Sequence, residues 1–139
     1  MSEYTRQKVL FLCTHNAARS QMAEGLLRHL AGDTYHVSSA GTEKTFVRPQ
    51  AIQVMAEIGI DISKQQSKTV QQYLKDGFDE VITVCDDANE ACPVFPNAKS
   101  RRHWSFPDPS KAQGSEDEQL QVYRHVRDAI QQKIEVELL

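Results

Sequence analysis

Long apolar runs are missing from this 139-residue chain: no stretch approaches the roughly 18 apolar residues of a membrane span. The opening residues, Met1-Ser2-Glu3-Tyr4-Thr5-Arg6-Gln7-Lys8, are polar and lack the apolar segment of a secretory leader. A cytoplasmic protein without a membrane partner is therefore expected. An excess of positive charge is missing too. Lys and Arg number 16 against 19 Asp and Glu, and the formal net charge of −3 gives no reason to expect a nucleic-acid partner. Cysteine is scarce, with only Cys13, Cys85 and Cys92. An odd, small number argues against a disulfide framework and leaves core, metal or redox roles open. The five histidines form no ligand pair by spacing and there is no Cys-x-x-Cys, so neither a metal nor a bound cofactor is expected. No repeat, low-complexity tract or linker divides the chain, and one domain over residues 1–139 is the reading.

What is present suits a folded α/β protein, with 40% apolar and 25% charged residues. Lys8-Val9-Leu10-Phe11-Leu12 is a buried-strand pattern that ends at Cys13. From Ser20, the spacing of Met22, Ala23, Leu26, Leu27 and Leu30 predicts a helix stopping near Gly32. A strand over residues 35–40 follows, halted by Gly41. Pro49 opens a second helix carrying Ile52, Met55 and Ile58, which Gly59 closes. Residues 79–84 form a strand ending at Cys85, and a weaker strand is expected around Arg102-His103-Trp104. Residues 89–115, rich in Pro and Ser, otherwise read as long functional loops. Ser115-Glu116-Asp117-Glu118 is a capping-box pattern, and Leu120, Tyr123, Val126, Ile130 and Ile134 give the last helix an apolar face. Strands alternating with helices predict a parallel sheet covered on both sides.

Ligands of such sheets bind beyond the carboxyl ends of the strands, where Cys13 and Cys85 both fall. Cys13-Thr14-His15-Asn16-Ala17-Ala18-Arg19-Ser20 joins a strand to a helix and places an Arg six positions after the Cys. Five intervening residues suffice to wrap backbone N–H groups around a tetrahedral oxyanion, and the helix adds its positive end. Arg19 can hold two oxygens in its planar fork. The same field, with a hydrogen bond from Ser20, favours an ionised Cys13 aimed at the anion's central atom. Against this stands the ordinary role of a cysteine ending a strand, which is to fill the core.

Residues 13–25, CTHNAARSQMAEG, resemble the phosphate loop of the low-molecular-weight phosphotyrosine phosphatase superfamily, and specifically its arsenate-reductase branch. The likeness continues through Ser38-Ser39-Ala40-Gly41-Thr42, Gly59-Ile60-Asp61-Ile62-Ser63, Val84-Cys85 and His103-Trp104-Ser105-Phe106-Pro107-Asp108-Pro109, and so spans nearly the whole chain. It implies a flavodoxin-like three-layer sandwich, with a central four-stranded parallel sheet and helices on both faces. It also gives Asp108 a task. Alone, an Asp-Pro pair reads as a turn, but the family carries its general acid in such a loop. Catalytic roles are thus expected for Cys13, Arg19, Asp108, Cys85 and Cys92, with Thr14, His15, Asn16, Ala17, Ala18, Arg19 and Ser20 binding substrate.

The resemblance implies reduction of arsenate to arsenite by a thiol relay from Cys13 to Cys85 to Cys92, recycled by thioredoxin acting on a monomer. A weak phosphatase side activity is compatible with it. Two alternatives remain: a low-molecular-weight protein tyrosine phosphatase, and a non-catalytic oxyanion-binding redox module. The chain departs from the family pattern in three places. Ala18 stands where thioredoxin-coupled relatives often have another cysteine. Residues 110–114, SKAQG, lack the aromatic wall that usually flanks a phosphotyrosine ring. Some relatives hold potassium beside the loop, a site that Asn16, Glu24 and Ser39 match in part. Lys68 stands where an acidic ligand would be, so no metal is expected to be required.

Overall fold

The run before Cys13 forms β1 (Gln7–Cys13), and its residues from Val9 onward are all buried. A strand without an exposed face belongs in the middle of a sheet. The computed structural model describes residues 6–86 and 95–139. In it β1 is flanked by β2 (Tyr35–Gly41) on one side and β3 (Phe78–Thr83) on the other, with β4 (Ala98–His103) at the edge beyond β3. All three pairings are parallel, giving the order β2-β1-β3-β4. Three α-helices pack against the sheet: α1 (Arg19–Ala31), α2 (Pro49–Glu57) and α3 (Glu116–Glu137). None among the described residues is long and apolar enough to cross a membrane.

The pleat of β1 divides the core in two. Val9, Phe11 and Cys13 face Met22 and Leu26 of α1, Val54 and Met55 of α2, and Ile130 and Ile134 of α3. Leu10 and Leu12 face the other way, among Ala40, Val81 and Phe95, with Val70 and Tyr73 of a short 3₁₀ helix packed on them. The fold is thus the expected three-layer α/β arrangement with unequal outer layers. The three α-helices share one face, and among the described residues the 3₁₀ helix and Phe95 cover the other.

Helix α3 starts at the expected capping box: Glu118 N–H donates to Ser115 Oγ at 3.1 Å, and Ser115 N–H to Glu118 Oε1 at 2.9 Å. Two boundaries differ from expectation by more than a residue at an element's end or in what they bury. Helix α2 ends at Glu57, so Ile58 becomes its C-cap and is 37% exposed rather than buried. The left-handed turn then falls on Gly59, at φ 81°. Strand β4 occupies Ala98–His103, so it includes Arg102 and His103 of the expected stretch Arg102-His103-Trp104 but starts four residues earlier, within residues read as loop. Its residues are polar and largely exposed, so an edge strand of this kind leaves no apolar alternation to read. Trp104 lies just past its end, donating its backbone N–H to Thr83 O at 2.8 Å.

The chain reverses its direction of travel across the sheet between β1 and β3, and the crevice at such a switch point opens at the carboxyl ends of those strands. Leu12 is level with Thr83, and Val84 N–H donates to Leu12 O at 2.8 Å. Cys13 and Cys85 therefore emerge at the ends of adjacent strands, whose backbones run roughly 5 Å apart.

Candidate active site

Cys13 is a free, buried thiol where β1 gives way to the loop before α1. Every carbonyl of that loop is bonded outward. Thr14 O accepts from Thr42 N–H at 2.9 Å and Glu43 N–H at 3.2 Å, and His15 O from the Thr45 hydroxyl at 2.9 Å. Asn16 O accepts from Gln21 Nε2 at 3.0 Å, Ala17 O from Arg48 N–H at 3.0 Å and Ala18 O from Met22 N–H at 2.8 Å. With the carbonyls turned away, the backbone N–H groups line the inner side, as an anion nest requires. Helix α1 has no side-chain cap at Ala18, so its first N–H groups add to the same concavity.

Asn16 makes the sharp bend at φ 50°, in the left-handed region that Asn tolerates better than most residues. Its side chain is fully engaged. Nδ2 donates to Ser20 Oγ at 2.8 Å and Ser39 Oγ at 3.0 Å, while Oδ1 accepts from Lys68 N–H at 2.7 Å and Gln21 Nε2 at 3.0 Å. Because Asn16 supplies the proton between it and Ser20, the Ser20 hydroxyl is free to point its own at Cys13 Sγ, 2.9 Å away. Asn16 N–H also donates to that sulfur, at 3.3 Å. Two donors thus converge on the thiol, an arrangement that stabilises negative charge on it.

Arg19 is 2% exposed. One terminal nitrogen donates to Phe106 O at 3.2 Å and the other lies 3.6 Å from Asp108 Oδ2. Asp108 Oδ1 accepts from both the backbone N–H (3.0 Å) and the hydroxyl (2.7 Å) of Ser110. Oδ2 is consequently the oxygen turned toward Arg19 and the pocket. Cys13, His15, Ala17, Ala18, Arg19, Arg48, Asp108 and Ser110 line a cavity of about 10 Å³, room for roughly one water. A tetrahedral anion enters only if the guanidinium and Asp108 move outward.

Of the residues expected from sequence, Cys13, Arg19, Asp108, His15, Ala17 and Ala18 meet at this pocket. Ser20 and Asn16 stand behind the sulfur, and His15 turns its ring to Glu43 at 2.8 Å. Thr14 contributes its backbone to the junction with β2. Cys85 is fully buried in the same apolar cluster as Cys13. Cys92 lies outside the described residues.

The sequence pattern of the low molecular weight phosphotyrosine protein phosphatases matches residues 8–138. The chain belongs to that family. An arsenate reductase of Halalkalibacterium halodurans is 47% identical to it over 93% of both chains. The solved structure of an arsenate reductase in its oxidized state is 34% identical, covers 94% of this chain and 95% of its own, and superposes with a TM-score of 0.79. A thioredoxin-dependent arsenate reductase of Corynebacterium glutamicum is 25% identical, with a TM-score of 0.67, and matches over 97% of this chain and 63% of its own.

Two features of this family member escaped the sequence reading. Arg48 reaches the pocket because the start of α2 folds over the loop, and Ser110 anchors Asp108. Tyr123 of α3 is buried with no hydrogen-bond partner for its hydroxyl among the described residues. Burial pushes this phenol up to about 12, Arg48 opposes the shift and Asp108 adds to it. Behind the loop, Glu24 accepts from Ser39 Oγ and from Arg28, and the Lys68 ammonium lies 4.0 Å from its Oε1. With its charge already met by two cationic side chains and Asn16 bonded to Ser39, this donor set does not fit a monovalent cation.

Proposed function

We propose that the protein reduces arsenate to arsenite, with Cys13 as nucleophile and a Cys13/Cys85/Cys92 relay recycled by thioredoxin. The observation that carries this is the buried Cys13 sulfur, with two donors aimed at it under a pocket closed by Arg19 and Asp108. The arsenate reductases it resembles support the choice of substrate. The likeness to a thioredoxin-dependent reductase supports the choice of reductant.

The anion loop and Arg19 bind arsenate over Cys13. The thiolate attacks arsenic, forming an S–As bond as one oxygen leaves as water, with its proton supplied from Asp108 Oδ2. The Cys85 thiolate then attacks Cys13 Sγ. An S–S bond forms, the S–As bond breaks, and its electron pair stays on arsenic, which departs as arsenite. Cys92 attacks Cys85, forming Cys85–Cys92 and releasing Cys13 as thiolate. Thioredoxin's dithiol reduces that disulfide and is itself oxidised. Cys85 is disulfide-bonded and fully buried in this structure, so the exchange with thioredoxin requires its segment to move outward. The protein works in the cytoplasm, where thiols are kept reduced, as a monomer with no bound cofactor or required metal. The Cys13, Arg19 and Asp108 set also supports slow hydrolysis of activated aryl phosphates, since phosphate shares arsenate's shape and charge.

Arsenite formation from arsenate, followed with thioredoxin, thioredoxin reductase and NADPH, tests the relay. Cys13→Ser and Cys85→Ser should abolish even one turnover. Cys92→Ser should complete a single turnover and then stop. Normal cycling by Cys92→Ser would remove the third step.

A further inference from the structure

A second arginine lines the pocket and has no part in the chemistry above. Arg48 is the N-cap of α2, at φ −65° and ψ 133°, and Pro49 behind it restricts its backbone to extended conformations. Its N–H donates to Ala17 O at 3.0 Å, which ties it to the anion loop rather than to α2 alone. Its guanidinium carbon lies over the Phe46 ring, 4.9 Å from the centroid, and the residue lines the cavity with Cys13, Arg19 and Asp108. Its Nε is buried and has no hydrogen-bond partner among the described residues.

Arginine is a poor choice for this position on local grounds. An N-cap normally supplies an acceptor for the first-turn N–H groups, as Ser, Thr, Asp or Asn do, and α2 has no side-chain cap. A residue that forgoes the cap and buries an unsatisfied donor beside a thiol pocket breaks two local rules at once, a pattern found at functional positions.

We propose that Arg48 is a second oxyanion-binding residue, closing the shell around a tetrahedral dianion held over Cys13 by taking oxygens that Arg19 leaves open. This rests on the reading of the pocket as an oxyanion site. The cavity admits only about one water as it stands, so an entering dianion displaces the Arg19 guanidinium and Asp108 outward. One of its oxygens then gives Arg48 Nε the acceptor it lacks. Two guanidinium groups on one small anion favour the doubly charged form over the singly charged one.

Inorganic phosphate titrated by calorimetry into the reduced full-length protein tests this apart from arsenate chemistry. Asn at position 48 restores a helix cap while removing the cation, so a purely structural role predicts no loss of affinity. Arg48→Asn should bind phosphate about 10–100-fold more weakly, the loss expected for hydrogen bonds to a charged group, with a Tm equal to or above wild type. Arg48→Lys should retain part of the affinity. KM for arsenate should rise in step with the phosphate constant and more than kcat falls. Phosphate affinity within twofold of wild type in Arg48→Asn would overturn the assignment, as would a loss of affinity accompanied by a lowered Tm. Arg48-dependent phosphate binding by a protein that makes no arsenite would uphold the site while removing arsenate reduction.

Discussion

Asn16 concentrates more of the candidate site than any other side chain, and it does so through conformation as well as contacts. Its φ of 50° suits Asn or Gly, and its amide joins the anion loop to α1, β2 and the segment at Lys68. The two contributions can be separated. Asn16→Gly keeps the backbone and loses the bonds; Asn16→Ala loses the bonds and adds the strain of a Cβ in the left-handed region, roughly 1–2 kcal/mol. Urea denaturation should therefore show both variants destabilised, with Ala below Gly by about that amount. Equal stabilities would mean that the bend relaxes without cost. The loop's residue types were legible in sequence because Cys, Arg and Ser sit at telling intervals between a strand and a helix. Arg48 was not, since it reaches the pocket only after α2 folds over the loop from thirty residues away.

Among the elements, the contact between the end of β2 and the anion loop sets the site's precision. Gly41 is level with Cys13 in the sheet, and a Cβ there would lie 2.7 Å from Thr14 O, 2.8 Å from Cys13 O and 2.9 Å from Asn16 N. All three atoms are backbone of the loop itself, so any side chain at position 41 displaces the nest rather than a flexible neighbour. Overpacking of this sort costs on the order of 1–3 kcal/mol, whereas misplacement of catalytic groups by about 1 Å can cost on the order of 100-fold in rate. Gly41→Ala should accordingly lose far more kcat/KM for arsenate than a mild drop in urea midpoint would suggest. Full activity alongside a lowered midpoint would show that the loop tolerates the shift. Elements carrying apolar periodicity, such as β1, β3, α1 and α3, were readable from sequence with small boundary errors. The start of strand β4 was missed because its exposed, mostly polar residues carry no apolar alternation to mark it. The unequal layers were hidden for another reason: a run buried on both faces does not reveal which elements cover each face.

At the scale of the whole molecule, ion pairs fasten the helices to the sheet and to each other, and they make stability depend on acid. Glu57 at the end of α2 binds Arg124 at 2.8 Å and Arg127 at 3.0 Å, both on α3. Its carboxyl lies below the usual range, chiefly through the bond from Arg124, against the opposing effect of burial. Glu137, at the far end of α3, accepts from Lys133 at 2.9 Å, Arg102 of β4 at 2.9 Å and Trp104 Nε1 at 3.1 Å. Lys133 first, then Arg102 and Trp104, lower its carboxyl from 4.5 to about 2, while burial opposes them. A carboxyl depressed on folding stabilises the folded state fully above its unfolded value and loses that contribution as pH falls through the folded one. Glu137→Gln should therefore be less stable than wild type at pH 7, and the gap should close as pH falls from about 4.5 to about 2. Denaturant midpoints of both proteins across that range measure it. Raised salt should narrow the gap at pH 7, because these pairs are partly exposed to solvent. A gap independent of pH would assign the effect of Glu137 to the shape of its hydrogen bonds, which Gln preserves in part, rather than to its charge.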